Sequence, residues 1–405
     1  MLITTEQDSH NLKNPAWFVR MASFALMGAL TSFIAWHTEQ LWAVLFIAVA
    51  WRYATGFLPA FMMMYAYFLV GAFDFPAIFA IFFPGQHGLG YLLWLLHAAL
   101  LTLPFALAAR YRAAGLVMAL LITALPPLGF IGWLSPLLVS GVLFPDLGVA
   151  GYLAAGLIFF MIAFHGQAKM HNTGRLLLLL ASLYCNFNNL LKPLAVPSFW
   201  FGQDTHFSKY PVDAVVGFQR QQQLMKQVDT ALHEGAKLIL LPESIVGEWQ
   251  PASEYWWQKE IDLAKVKKTT LLIGAVVDES HGHWSDALII RGTDVGIARA
   301  RIPIPVGMWN PFSATGFNSY PGNSGVVSVQ GKPVAISMCY EDLLVFPMIQ
   351  SFLMGKPQAL LSSANNWFGQ GTDEPAMQTM AINVQARLFG VPLIRALNLP
   401  LGNLQ

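Results

Sequence analysis

The chain of 405 residues is poor in charge for its length: 55% of its residues are hydrophobic and 11% are charged, and the formal net charge is +1. Soluble globular proteins carry about 25% charged residues, so the composition excludes an ordinary soluble protein. The near-neutral balance, without a polybasic tail, also argues against nucleic-acid binding. Only 13 of the 45 charged side chains precede residue 195. This shift predicts a membrane part at residues 1–194 and a soluble domain at residues 195–405.

The first part contains seven apolar runs that predict membrane-spanning helices. A hydrocarbon core about 30 Å thick takes about 20 apolar residues per helix. In chain order the predicted spans are residues 21–36, 41–50, 55–73, 89–109, 114–138, 147–164 and 176–191. The second run is short and can pair with the first as a partial or tilted insertion. The pattern predicts a multi-pass α-helical membrane bundle, and buried helices of a soluble fold are the alternative.

Basic residues mark alternate loops of this bundle. They flank the start of the first span and follow the second, fourth and sixth spans: Lys13, Arg20, Arg52, Arg110, Arg112, Lys169 and Arg175. Basic loops stay in the cytoplasm, so we expect a cytoplasmic N-terminus in a bacterial inner membrane. Seven crossings then place the C-terminal domain in the periplasm, whereas an even number of spans would reverse its side.

The second part alternates short apolar strands with helices. Strands are predicted at residues 199–203, 237–241, 269–277, 287–291, 297–304, 325–329, 333–338, 359–363 and 392–396. Helices are predicted at residues 212–234, 254–264, 343–354 and 374–389. Short buried strands covered by helices are typical of a layered α/β domain.

Three polar side chains stand at the C-terminal ends of predicted strands in this domain. They are Glu243, Arg301 and Cys339. Strand ends on one edge of an α/β sheet converge on a crevice, where ligands bind. Cys339 is the single cysteine of this half, whereas Cys185 lies within the last predicted span, where a packing role is expected. The three residues are therefore the candidates for chemistry.

Thiol, carboxylate and cation together suffice for acyl transfer through a thioester. The junction of a strand with a helix is expected to lower the pKa of the Cys339 thiol. Glu243 could take the thiol proton and return it to a leaving group, and Arg301 could hold the oxyanion. Each residue alone has a structural alternative: a packed cysteine, a helix cap or salt bridge, and a surface charge. The combination of all three favours a catalytic site.

Four short motifs, taken in order, resemble the landmarks of the nitrilase superfamily. They are Leu240-Leu241-Pro242-Glu243-Ser244, Arg301-Ile302-Pro303-Ile304-Pro305, Cys339-Tyr340-Glu341 and Asn365-Asn366-Trp367-Phe368-Gly369. A seven-span bundle ahead of such a domain resembles the apolipoprotein N-acyltransferase branch. The architecture and the stretch at residues 299–309 resemble, more specifically, the TraB-type conjugal transfer proteins of bacterial plasmids.

The resemblance implies a fold and a reaction. The fold would be the αββα sandwich of nitrilases. Cys339 would be the nucleophile that becomes a thioester, Glu243 the general base and acid, and Glu341 a supporting carboxylate. No metal or soluble cofactor would take part. A membrane lipid or a lipoprotein would be the acyl donor or acceptor, and proteins of the conjugation apparatus would be the partners.

The resemblance also implies a substrate pocket. Tyr340, Trp367 and Phe368 would shape it. Met308 would line it as well, at a position where the acyltransferases carry a glutamate on the loop after the Pro-x-Gly step.

The sequence departs from the family pattern at the expected cation as well as at Met308. Arg301 stands where nitrilases have a lysine, and Arg299 and Ala300 are the alternatives if the register shifts. Arginine keeps the positive charge but is bulkier and does not deprotonate. The chain also stops at Gln405, where the nitrilase fold continues with a further hairpin, so we expect either a truncated sequence or a sandwich without its edge strands.

These observations leave three hypotheses. The first is an active thiol acyltransferase or amidase of conjugal plasmid transfer. The second is a weak or inactive nitrilase-like scaffold in the envelope machinery of conjugation. The third is a transporter with an accessory domain, which the scarcity of ionisable residues within the predicted spans disfavours.

Overall fold

A computed structural model describes residues 15–165, 169–191, 194–310 and 312–399. The chain divides into two compact units. The first comprises Met1–Phe144 and Ala150–Tyr184, and the second comprises Pro145–Val149 and Cys185–Gln405. The predicted truncation concerns the chain end, which lies outside the described residues.

The first unit is built from apolar α-helices. The described α-helices up to residue 191 are α1 (Pro15–Ser32), α2 (Leu45–Trp51), α3 (Phe57–Gly71), α4 (Phe75–Phe82), α5 (His87–Ala108), α6 (Arg112–Ala124), α7 (Ser140–Leu143), α8 (Val149–Ala163) and α9 (Lys169–Leu191). A Cβ atom on Gly28 would lie 1.8 Å from the backbone oxygen of Met63. Glycine at this position therefore lets α1 and α3 pack with their backbones in close approach.

In the part of the chain that the structure describes, two helical stretches are long and apolar enough to cross a membrane, Pro15–His37 and His87–Ala124. Helices α3 and α4 meet the same criteria together, as a pair bent by 47° that forms either a broken span or a re-entrant loop. The predicted runs 41–50 and 147–164 fall on shorter apolar helices, the second on the 15 residues of α8. The seven crossings and the sidedness that follows from them are therefore not confirmed and remain predictions.

The predicted span at residues 114–138 is wrong in its extent, because α6 ends at Ala124. Leu125 is extended, with φ −111° and ψ 153°, and Pro126 and Pro127 follow it. Proline lacks the N–H that a helix interior requires, and it disfavours helical geometry in the residue before it. The hydrophobic run therefore continues as short 3-10 turns instead of a membrane-length helix.

The second unit contains ten strands in its described residues. They are β1 (Trp200–Gly202), β2 (Leu238–Leu240), β3 (Thr270–Asp278), β4 (His283–Gly292), β5 (Gly296–Arg299), β6 (Gly316–Phe317), β7 (Val326–Val329), β8 (Lys332–Met338), β9 (Leu360–Asn365) and β10 (Leu393–Asn398). The helices are α10 (Ala214–His233), α11 (Pro251–Trp256), α12 (Gln258–Lys267), α13 (Val345–Gly355) and α14 (Glu374–Phe389).

The strands form two sheets. The first has the order β1-β2-β3-β4-β5, with β6 paired to β4, and the second has the order β10-β9-β8-β7. Strands β1, β2 and β3 run parallel, and β4 returns antiparallel to β3. In the second sheet β10, β9 and β8 are parallel and β7 is antiparallel. The C-terminal ends of β2, β8 and β9 are the ends that carry the candidate site.

Three apolar layers hold this unit together. The central layer joins side chains of both sheets, including Leu240, Leu272, Ile336 and Leu361. A second layer packs α10 and α12 on the outer face of the first sheet, and a third packs α13 and α14 on the second. Because both faces of each sheet are covered, the central strands are apolar on both sides. The result is the four-layer αββα arrangement that the resemblance implies.

Candidate active site

Cys339 stands at the turn that ends β8. The backbone is extended at Met338, and Cys339 then adopts a left-handed conformation with φ 44° and begins a 3-10 helix, Cys339–Leu343. The side-chain amide of Gln378 on α14 donates to the Cys339 carbonyl oxygen at 2.8 Å. A non-glycine residue in this region costs about 1–3 kcal/mol and is typical of functional sites. The strained turn indicates a side chain that is held in a required position.

Glu243 brings a carboxyl group to this thiol from the other sheet. It follows β2 and Pro242, and its carboxyl group is hydrogen-bonded to the Cys339 side chain. The side-chain amide of Asn365, at the end of β9, donates to the Glu243 backbone oxygen at 2.9 Å. Cys339 is 5% exposed and Glu243 is 8% exposed. The structure thus brings together the thiol and the carboxyl group that two separate motifs carry.

Asp286 is a third member of this cluster that the sequence analysis missed. It lies on β4, is buried, and accepts a hydrogen bond of 2.8 Å from the Ser244 hydroxyl. Its carboxyl group is also hydrogen-bonded to that of Glu243. The available signal was an aspartate at the start of the apolar run 287–290, since a charge in a buried strand requires a partner.

Glu243 and Asp286 form a buried pair of interacting carboxyl groups. Burial raises the pKa of Glu243 well above its usual value, and the adjacent charge of Asp286 raises it further. Burial also raises the pKa of Asp286, while hydrogen bonds from Glu243 and Ser244 favour its ionised form. The pKa of Glu243 is the more strongly raised of the two, because the charge of Asp286 adds to the effect of burial. Two carboxyl groups in contact do not both ionise readily, so they titrate as a coupled pair.

The expectation of a lowered thiol pKa is wrong. Burial raises the pKa of Cys339 well above its usual value, and the charges of Glu243 and Glu374 raise it further. The helix that Cys339 begins is a 3-10 helix of five residues, and its dipole is too small to offset this burial and these charges. The resting side chain is therefore a neutral thiol, which needs a base before it can act as a nucleophile.

Arg301 does not end a strand, because β5 stops at Arg299. Prolines 303 and 305 have no N–H to continue the ladder. The Arg301 side chain is 1% exposed and forms an ion pair with Glu341, with 2.6 Å between Nη2 and Oε2. Its Nε atom also donates to Glu341 Oε2 at 3.0 Å, and its backbone N–H donates to Oε1 at 2.5 Å.

The remaining Arg301 donors are also occupied. Nη1 donates to the Pro347 carbonyl and the Ser351 hydroxyl, both at 2.8 Å, and Nη2 donates to the Ile336 carbonyl at 3.0 Å. A Cβ atom on Gly325 would lie 2.5 Å from the guanidinium carbon, so the backbone closes over the group. Every guanidinium nitrogen is used to join β8, α13 and the turn after Cys339. Arg301 and Glu341 thus form a buried clamp behind the site.

The remaining predicted residues lie outside the strands and the α-helices. Tyr340 follows the thiol in the 3-10 helix, and Trp367 and Phe368 follow β9 with their rings edge to face at 5.9 Å. Lys209 lies with its Nζ atom 5.6 Å from the centre of the Trp367 ring, a lysine that the sequence analysis did not connect with this region. Met308 lies between β5 and β6, where its carbonyl oxygen accepts from the Phe317 N–H.

Within the described residues, no group of three or more histidine, cysteine or acidic side chains is arranged to hold a metal ion.

Solved structures with a similar fold are carbon-nitrogen hydrolases. One is the carbon-nitrogen hydrolase of Helicobacter pylori G27, with 16% identity and a TM-score of 0.36 over 50% of this chain and 73% of that chain. Another is a mutant of the Nesterenkonia AN1 amidase from the nitrilase superfamily, with 16% identity and a TM-score of 0.37 over 50% of this chain and 78% of that chain.

Two relatives match nearly the whole chain. The conjugal transfer protein TraB of Agrobacterium fabrum is 28% identical over 410 residues, which cover 94% of this chain and 93% of the relative. A probable conjugal transfer protein TraB of Sinorhizobium fredii is 28% identical over 372 residues, which cover 86% and 90%. No family model matches the chain. The chain resembles TraB conjugal transfer proteins, which confirms the resemblance predicted from the motifs.

Proposed function

We propose that this chain is a membrane-anchored, nitrilase-like protein of conjugal plasmid transfer that transfers or hydrolyses an acyl group through a thioester on Cys339. The observation that carries this proposal is the buried contact between the Cys339 thiol and the Glu243 carboxyl group, at a strained turn. The similarity to TraB proteins supports the role in conjugation. A membrane lipid or a lipoprotein is the proposed acyl donor or acceptor.

The reaction follows from the proton positions. With Glu243 ionised, its carboxylate removes the thiol proton while the Cys339 sulfur bonds to the carbonyl carbon of an amide or ester. The tetrahedral intermediate then breaks its bond to nitrogen or oxygen, and Glu243 returns the proton to that leaving group. Water or an amine next attacks the thioester, gives a proton to Glu243, and the sulfur leaves and regains its proton. Asp286 sets the pH at which Glu243 is ready to act as the base.

Loss of the Cys339 thiol is expected to abolish conjugation. In a donor strain, Cys339→Ala should reduce the frequency of plasmid transfer to that of a strain lacking the gene, because the proposed acyl intermediate forms on the Cys339 sulfur. Cys185→Ala is the matched control, since it removes the other cysteine and should leave transfer unchanged. Membrane levels of both variants are compared by immunoblot.

A scaffold without catalysis is the second candidate, and the buried clamp favours it. Arg301 gives all its donors to Glu341 and neighbouring groups, so it does not supply the charge expected at an oxyanion. Unchanged transfer with Cys339→Ala at normal membrane levels would establish the scaffold and exclude the thioester.

The proposed location is the bacterial inner membrane, with a cytoplasmic N-terminus and the second unit in the periplasm. The two long apolar helices support membrane anchoring, and the alternating basic loops support the orientation. Alkaline phosphatase fused after Gln405 should be active, whereas a fluorescent protein fused there should be dark. If the fluorescent-protein fusion is bright and the phosphatase fusion is inactive, the number of crossings is even and the second unit lies in the cytoplasm.

A further inference from the structure

A cavity of about 620 Å³ in the first unit collects basic side chains from separate parts of the sequence. Its lining includes Arg20 on α1, Arg52 just after α2, and His165 just after α8. Phe24 and Met27, one and two turns further along α1, supply an apolar wall. None of the described residues that line the cavity is acidic, so these residues do not balance its positive charge.

The two arginines differ in how they are held. Arg20 Nη2 donates to the Tyr53 carbonyl at 3.3 Å and to the Thr55 hydroxyl at 3.2 Å, which orients its guanidinium at the cavity. Arg52 Nε is buried without a hydrogen-bond partner among the described residues. Neither arginine forms a salt bridge within that part of the chain. A buried N–H without an acceptor costs free energy, and an anionic ligand would supply the acceptor.

The apolar side of the cavity indicates what else the ligand carries. Met27 is 41% exposed and lies on α1, within the stretch Pro15–His37 that is long enough to cross a membrane. Arginines at the end of an apolar helix are placed to contact headgroups while the apolar surface contacts acyl chains. Guanidinium groups also match phosphate oxygens in bidentate geometry. Phosphate and acyl chain occur together in a phospholipid.

We propose that this cavity binds the headgroup phosphate of an anionic phospholipid between Arg20 and Arg52, with an acyl chain along Phe24 and Met27. The site rests on the membrane anchoring proposed above, but not on the chemistry of Cys339. It would fix the depth of α1 at one leaflet.

Native mass spectrometry of the full chain, released from detergent micelles, tests the proposal. The chain is titrated with phosphatidylglycerol, with phosphatidylcholine, and with glycerol 3-phosphate as a soluble phosphate. We expect tighter binding of phosphatidylglycerol than of the other two. The double variant R20Q/R52Q should raise its Kd at least about tenfold, since two charge-assisted contacts are lost.

The matched control is R110Q/R112Q, which removes the same charge from another basic loop of the first unit and should keep the native Kd. Equal loss in both double variants, or equal affinity for phosphatidylcholine, would overturn the site. Glycerol 3-phosphate binding as tightly as the lipid would assign a soluble phosphate instead. Membrane fractionation tests the anchoring separately. If the chain stays in the membrane fraction but shows no lipid preference, the lipid site is overturned and the proposed membrane anchoring stands.

Discussion

Replacing Glu341 with glutamine is expected to lower the free energy of unfolding by about 3–5 kcal/mol, the usual cost of breaking a buried ion pair. Arg301 and Glu341 are each 1% exposed, so the remaining guanidinium would be a buried charge without its counter-ion. Denaturant titration of the full chain in detergent, followed by tryptophan fluorescence, measures the change.

A partly exposed ion pair of the same unit provides the control for this prediction. Glu254 and Arg291 pair at 2.7 Å with side chains 41% and 17% exposed. We expect Glu254→Gln to cost about 0–1 kcal/mol, because exposed pairs contribute little. A cost for Glu341→Gln no larger than that of the control would show that the buried clamp is not a major source of stability.

Replacing both members of the clamp separates structure from catalysis. The double variant R301M/E341L removes both charges and should recover most of the stability, since apolar side chains often substitute for a buried pair. Thiol reactivity should persist in the folded double variant if Arg301 is purely structural. A folded double variant with an unreactive Cys339 would show that the arginine acts on the reacting groups.

Asp286→Asn is expected to move the pH dependence of Cys339 acylation to lower pH. The base is the ionised form of Glu243, so acylation rises as the pH passes through the pKa of this residue. Asp286 holds that pKa up by its charge. Removing the charge lowers the pKa of Glu243, so the rise in acylation should begin at lower pH in Asp286→Asn than in the unsubstituted chain.

The rate of p-nitrophenolate release from p-nitrophenyl acetate measures this shift in the C185A background, where Cys339 is the single cysteine. Asp294→Asn is the control. It removes a carboxylate just after β4 whose hydrogen bond comes from the Thr270 hydroxyl and not from Glu243. An unchanged profile in Asp286→Asn, or an equal shift in the control, would contradict the role of the acid pair.

The strand-end pattern in the sequence predicts that Cys339 and Glu243 lie close together, whereas the same pattern misses Asp286. Glu243 and Cys339 each follow a short apolar run, so the sequence predicts two strands whose C-terminal ends meet at the same edge of the α/β domain. Asp286 belongs to β4, which runs antiparallel to β3, so the start of β4 lies beside the ends of the parallel strands. Strand direction depends on pairing along the whole sheet, and a rule that searches strand C-terminal ends alone misses this residue.

Arg301 shows a different limit of sequence reasoning. Its position in the motif predicts a cation, but the partner of a charged side chain depends on which groups are buried beside it. Glu341 accepts from both the guanidinium and the backbone of Arg301, a pairing across 40 positions of sequence. The raised pKa of Cys339 has the same origin, because burial and nearby carboxyl groups are properties of the folded chain.

Intact-protein mass spectrometry tests the central proposal, the thioester on Cys339, most directly. The full chain in the C185A background is incubated with p-nitrophenyl acetate and then treated with neutral hydroxylamine, which cleaves thioesters. We predict the mass of one acetyl group, its removal by hydroxylamine, and its absence when Cys339→Ala is added. A chain that gains no acetyl group, or gains the same hydroxylamine-sensitive group without Cys339, would contradict the account.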